Sequence, residues 1–174
     1  MIGPVSRDSN PLDSALTDSV SSSSEATASL ENFSRRFVVL RHDVGPEFVR
    51  TTSSHLDWMF ETGDTLSTWS TDLVSTFDNS FDLPCAAIAD HRLAYLNREG
   101  DLGGGRGSVK QLLVGEFTRV EANLTGLLFK AVLRWQDRRG VCFARLEIDQ
   151  RVLDSGCGLA ESRSVCGLRF LVGR

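Results

Sequence analysis

Residues 55–61, His55-Leu56-Asp57-Trp58-Met59-Phe60-Glu61, alternate strictly along the chain. In a β-strand Leu56, Trp58 and Phe60 fall on one face, and His55, Asp57, Met59 and Glu61 on the other. The apolar face reads as part of a barrel or sandwich core. The opposite face carries an imidazole and a carboxylate about 6.6 Å apart along the strand, near enough to lean onto one divalent ion.

The same pattern continues on both sides. Phe37-Val38-Val39-Leu40-Arg41-His42 is rich in β-branched residues and reads as a strand that His42 closes, before Asp43-Val44-Gly45-Pro46 breaks the pairing. Thr51 to Ser54 lead into the central strand. Thr62-Gly63-Asp64 is a turn and Leu66-Ser67-Thr68-Trp69 alternates again, so a hairpin joins 54–61 to 65–70. Residues 71–84 read as a loop ending at Pro84, and Cys85 to Ile88 as a strand that delivers Asp90-His91-Arg92-Leu93-Ala94-Tyr95. A glycine-rich loop follows from Gly100 to Gly107. It matches neither GxGxxG nor a Walker loop, and it is either a hairpin tip or a backbone nest for an anion beside Arg106. Further strands are expected at 111–121, 127–135, 141–148 and 168–172. Many short strands, glycine turns and no convincing amphipathic helix predict a mainly β fold, a small antiparallel β-barrel. Trp58, Trp69 and Trp135 then belong to its core rather than to base-stacking platforms.

Composition divides the 174 residues into an acidic, Ser-rich tail over 1–34, expected to be disordered, and one domain over 35–174. The net charge of -4 resides in the tail, where Arg7 stands against Asp8, Asp13, Asp18, Glu25 and Glu31. The domain is therefore neutral and lacks the basic excess of a typical nucleic-acid binder. Its basic residues are arginines except Lys110 and Lys130; arginine forks suit phosphate, although a GC-rich genome gives the same bias. No apolar stretch is long enough for a membrane span and no signal peptide precedes the domain, which predicts a cytoplasmic protein. Cys85, Cys142, Cys157 and Cys166 lack CxxC spacing, so reduced thiols are expected rather than a zinc knuckle. Asn123-Leu124-Thr125 matches a glycosylation sequon, which has no meaning in an unsecreted chain.

The strand ending in His42, then His55-Leu56-Asp57-Trp58-Met59-Phe60-Glu61, then Leu66-Ser67-Thr68-Trp69, then Asp90-His91-Arg92-Leu93-Ala94-Tyr95 and the glycine loop occur in one order. Over 35–148 this resembles the 3′-phosphoesterase domain of the bacterial DNA repair ligase D, the polymerase-ligase of non-homologous end joining, in a stand-alone form. The resemblance implies a β-barrel hydrolase that removes 3′-phosphates or 3′-terminal ribonucleotides from DNA in repair. The implied cofactor is Mn²⁺ or another divalent transition metal such as Zn²⁺ or Co²⁺. The implied metal ligands are His42, His55 and Asp57, and the implied catalytic residues His91 and Tyr95. Implied partners are DNA 3′ ends or a primer-template, and separate end-joining ligase or polymerase proteins. Met59 stands where the family has an arginine that grips the scissile phosphate, and Asp72 stands in the region of a family lysine. The interval from His42 to His55 is longer than the family's. Arg106 is the candidate to supply the contact Met59 cannot make, with Met59→Arg expected to recover part of any loss in Arg106→Ala.

Two other readings stay open at this stage. One is a catalytically weakened barrel that binds DNA 3′ ends or a repair partner without cleaving, favoured by Met59. The other is a non-haem iron oxygenase built on His55, Asp57 and His91.

Overall fold

The computed structural model describes residues 35–48, 53–121, 125–152 and 164–173. The tail over 1–34, Thr51, Asn123 and Cys157 lie outside them. Nine strands run through the described chain: β1 Arg35–Val44, β2 His55–Thr62, β3 Thr65–Thr71, β4 Phe81–Arg92, β5 Gly100–Asp101, β6 Gly107–Arg119, β7 Leu127–Asp137, β8 Gly140–Val152 and β9 Ser164–Val172. All pairings are antiparallel. The order is β1-β2-β3-β4-β9-β8-β7-β6, and β6 pairs back onto β1, so eight strands close a barrel, with β5 added as a short ribbon on β6. The expected mainly β barrel is thus the observed fold. Among the described residues no helix is long and apolar enough to cross a membrane.

The interior is filled by the apolar face of each strand. Phe37, Trp58, Phe60, Phe117 and Phe170 are fully buried there, and Trp69 and Trp135 pack in the same cluster. An eight-stranded barrel is just wide enough for side chains to fill. The Trp58 indole N–H, which burial would otherwise orphan, donates to Thr71 Oγ1 at 3.0 Å.

Several boundaries differ from the sequence pattern. β1 continues past His42 to Val44 because Asp43 and Val44 still pair with Ser108 and Gly107. β4 starts at Phe81, so the loop expected to reach Pro84 is shorter. Pro84 sits opposite Gly167 of β9, where the β3 ladder, which begins at Cys85, has not yet flanked the strand; proline is tolerated at such an edge-like position. β8 and β9 each extend beyond the expected 141–148 and 168–172, pairing with one another over Ala144–Val152 and Ser164–Val172.

Topology also explains the second, smaller core. β4 and β6 are separated by three strands either way around the barrel, and the chain between them crosses the outside of β3, β2 and β1. This crossover contains a 3₁₀ turn, Leu93–Asn97, and β5. Leu93, Tyr95, Leu96 and Leu102 of the crossover pack on Val38, Leu40, Met59, Leu66 and Val109 of the wall beneath.

Candidate functional site

In the β1–β2 ladder His42 lies directly opposite His55, and Leu40 opposite Asp57. No bulge interrupts that ladder, so the alternation that sends Leu56, Trp58 and Phe60 inward sends His42, His55 and Asp57 to the outer face together. One ligand atom from each lies within 4.8 Å of the other two. The cluster is sheltered: His42 is 4% and Asp57 5% exposed.

The hydrogen bonds suit a cation. His42 Nε2 lies 3.0 Å from the carbonyl of Arg106, and His55 Nδ1 lies 3.0 Å from the carbonyl of Ser53. A carbonyl only accepts, so each of these nitrogens carries a proton, and in the neutral ring the other nitrogen presents a lone pair. Anchoring one imidazole N–H on a backbone carbonyl is how metal-ligating histidines are oriented. His55 Nε2 and Asp57 Oδ1 stand 3.6 Å apart, beyond a hydrogen bond but close to the roughly 3.4 Å separating two ligands of one tetrahedral ion. Two imidazoles and a carboxylate are a donor set that could hold a metal ion.

Glycine lets the crossover approach this closely. A Cβ on Gly107, whose φ is +97°, would lie 2.0 Å from the Asp43 carbonyl oxygen, and one on Gly45 would lie 2.2 Å from that of Gly105. The contact is held by the Glu47 amide donating to Gly105 O at 3.0 Å. Phe48 covers the cluster, its ring meeting His42 edge-on at 4.7 Å between centroids.

The cluster opens into a pocket of about 390 Å³. His91, Tyr95 and Arg106 line it together with the three candidate ligands, and Ile88, Leu102 and Val109 supply apolar wall. All six candidate residues therefore meet in one cavity. His91 is not part of the ligand cluster, so the set His55, Asp57, His91 is not the one the fold assembles most tightly. Its place depends on a register shift. Thr68 faces Ile88 in the β3–β4 ladder, but Leu66 faces His91, so two steps on β3 match three on β4. This bulge turns His91 onto the same face as Ile88. Its Nδ1 lies 3.1 Å from Thr68 Oγ1, and Tyr95 meets its ring edge-on at 4.9 Å.

Arg106 is exposed at the rim. Its Nε donates to Gly103 O at 3.0 Å and its Nη2 to Leu102 O, so the guanidinium is tethered to its own loop. The loop is a hairpin tip joining β5 to β6. Met59 shares the outer face with Asp57 but is 1% exposed beneath the crossover, and it does not line the pocket. Asp72 is exposed outside it and borders a neighbouring groove with Ser53, Ser70 and Cys85.

Nearby cations are engaged. Arg36 pairs with Glu61 at 2.7 Å and Arg41 with Asp43 at 2.8 Å. The hydrogen bond from Arg36 holds the Glu61 carboxyl below its usual range, and that from Arg41 does the same for Asp43.

Thr68, Phe48 and the Ser53 carbonyl are site components with no signature in the sequence; a threonine in an alternating strand and a carbonyl in a loop are indistinguishable from their neighbours. Compared with models of known families and with curated proteins, the chain gives no match.

Proposed function

We propose that this chain is a metal-dependent phosphoesterase acting on DNA 3′ ends, removing a 3′-phosphate or a 3′-terminal ribonucleotide. The observation that carries the phosphoester reading is the meeting of a two-imidazole, one-carboxylate cluster with a third, separate imidazole in one sheltered pocket. The choice of DNA 3′ ends comes from the resemblance to the ligase D phosphoesterase domain, as does the expectation of ligase or polymerase partners.

His42, His55 and Asp57 would hold the ion, Mn²⁺ or a relative. Such an ion, when bound, supplies Lewis acidity toward a phosphate oxygen and a source of hydroxide at neutral pH. His91 binds the phosphate or hands a proton to the departing oxygen. The Tyr95 phenol donates a hydrogen bond to the same phosphate. Arg106 reaches the non-bridging oxygens by exchanging its two loop carbonyls for them. Those bonds are exposed, so releasing each costs about 1 kcal/mol, less than a charge-assisted contact to phosphate returns.

The test is a labelled primer-template ending in a 3′-phosphate or a 3′-ribonucleotide, incubated with Mn²⁺, Zn²⁺, Co²⁺ or chelator. The expected result is metal-dependent release, lost in Asp57→Asn and in His91→Asn. Tight binding of the 3′-phosphate primer without product under any metal would leave a binding barrel, the reading that Met59 favours. The donor set also suits ferrous iron, and iron-dependent oxidation of 2-oxoglutarate would move the site to the oxygenases.

A further inference from the structure

We propose that Thr68 is a positioning residue that fixes the tautomer of His91, making Nε2 the nitrogen that exchanges protons in the pocket. The catalytic consequence rests on the phosphoesterase reading; the tautomer does not.

Thr68 is 2% exposed, one of few buried polar side chains in the barrel wall. A hydroxyl has one proton to give. That proton goes to the carbonyl of Leu66 at 2.8 Å. Toward His91 Nδ1, 3.1 Å away, Thr68 Oγ1 can then only accept. Nδ1 must carry a hydrogen, and the neutral ring keeps its lone pair on Nε2. The arrangement runs against the ring's own preference, since imidazole in water favours the Nε2–H form; which nitrogen is protonated is set by what the other one bonds.

The bond to Leu66 ties this to the fold. The β3–β4 register shifts between Leu66 and Thr68, where regular ladder bonding lapses. One hydroxyl therefore gives the Leu66 carbonyl a donor at the bulge and grips the ring that the bulge has turned into the pocket. Because Nδ1 points at a buried group of the wall, Nε2, on the opposite side of the ring, points away from it. The Tyr95 ring, edge-on at 4.9 Å, limits rotation. In both charge states Nδ1–H keeps its acceptor, so the bond to Thr68 survives when a proton joins or leaves Nε2.

The experiment is long-range ¹H–¹⁵N correlation of the imidazoles in the full-length, ¹⁵N-labelled chain, metal-free and at alkaline pH, with the His91 signals identified by their loss in His91→Asn. The expected wild-type result is a protonated-type shift for Nδ1 and an unprotonated-type shift for Nε2. Thr68→Ser should keep that pattern, and Thr68→Val, nearly the same size without the hydroxyl, should reverse it. An Nε2–H ring in the wild type overturns the proposal even if Thr68→Val does not fold, and so does an unchanged pattern in folded Thr68→Val. If the chain turns over 3′-phosphate primers, Thr68→Val should lower kcat within the roughly 10²–10⁴-fold range of acid–base contributions, with KM little changed and Thr68→Ser restoring it. A reversed tautomer with unchanged kcat would refute the positioning role. Absence of any turnover would count against the phosphoesterase reading and leave the tautomer result standing.

Discussion

Asp57→Asn gives the most direct test of the metal centre. Asp57 is 5% exposed and faces His55 Nε2 at 3.6 Å. Asparagine keeps its size and removes its charge. A ligand that binds only the folded chain stabilises it by about 2.7 kcal/mol at roughly one hundred times its Kd. For a domain of this size each 1 kcal/mol raises Tm by about 2–4 °C, so saturating Mn²⁺, Zn²⁺ or Co²⁺ should raise the wild-type Tm by roughly 5–11 °C. Loss of an outer partner of a ligand already costs about 10–100-fold in metal affinity, and loss of a ligating carboxylate should cost at least as much. After a fall of about one hundredfold the same metal concentration stabilises by only about 0.4 kcal/mol, near the limit of detection. The assay is thermal melting with metal and with chelator, paired with calorimetric titration. A wild type indifferent to all three ions, or an Asp57→Asn variant that keeps the full shift, would refute the assignment.

Three further outcomes follow from the geometry. Met59→Arg puts a charge beneath the crossover at a position 1% exposed, so it should destabilise the chain by roughly 3–5 kcal/mol in thermal melts and should not recover activity; a neutral effect on Tm would mean the crossover lifts readily. Arg106→Ala keeps the carbonyl that anchors His42, so metal-induced stabilisation should persist while kcat/KM falls by about 2–4 kcal/mol of transition-state stabilisation; an unchanged rate in an otherwise active enzyme would end that role. Burial, with Cys166 opposite, pushes the Cys85 thiol from 9.0 up to about 12. The folded chain thus holds this proton where the unfolded chain has lost it. Cys85 should therefore contribute a loss of stability of up to about 1.4 kcal/mol per pH unit between that lower value and about 12, a contribution that Cys85→Ala should remove from alkaline denaturation curves.

The parts legible in the sequence are those that local alternation controls. His55, Asp57 and the core face of β2 follow from period two alone, and His42 joins them because β1 pairs with β2 without interruption. His91 is different. Counting by twos from Ala86 and Ile88 places it on the opposite face; only the bulge opposite Leu66 and Thr68 turns it back, and nothing in Ala89-Asp90 announces a bulge. Its place could be expected through family resemblance, not through periodicity. Met59 carries the converse lesson. Parity correctly sets it beside Asp57, but its burial is caused by Leu96 and its neighbours in the crossover, a contact between distant segments. Pro84 read as the end of a loop because proline breaks a ladder, yet at that point only β9 flanks the strand. The tethering of Arg106 to its own loop likewise depends on carbonyl directions at Leu102 and Gly103 that only the folded hairpin defines.

The location of the pocket follows from the filling of the barrel. Rings occupy the interior, and burying a carboxylate among them without a partner would cost several kcal/mol. The outer wall accepts polar residues at little cost, but bare exposure leaves a cation site bathed in water, where charge interactions are weak. The route from β4 to β6 resolves this conflict. It passes over β3, β2 and β1, so the connection itself becomes the cover. At its far end Gly107 and Gly45 allow backbone to approach backbone at distances no Cβ would permit, and the Arg106 carbonyl thereby reaches His42. At its near end the bulge delivers His91, and the 3₁₀ turn sets Tyr95 against its ring. One connection therefore shields the cluster, orients a candidate ligand and sets Tyr95 against His91. Seating of the crossover and competence of the site should accordingly rise and fall together, with Leu96 and Leu102 as its apolar anchors.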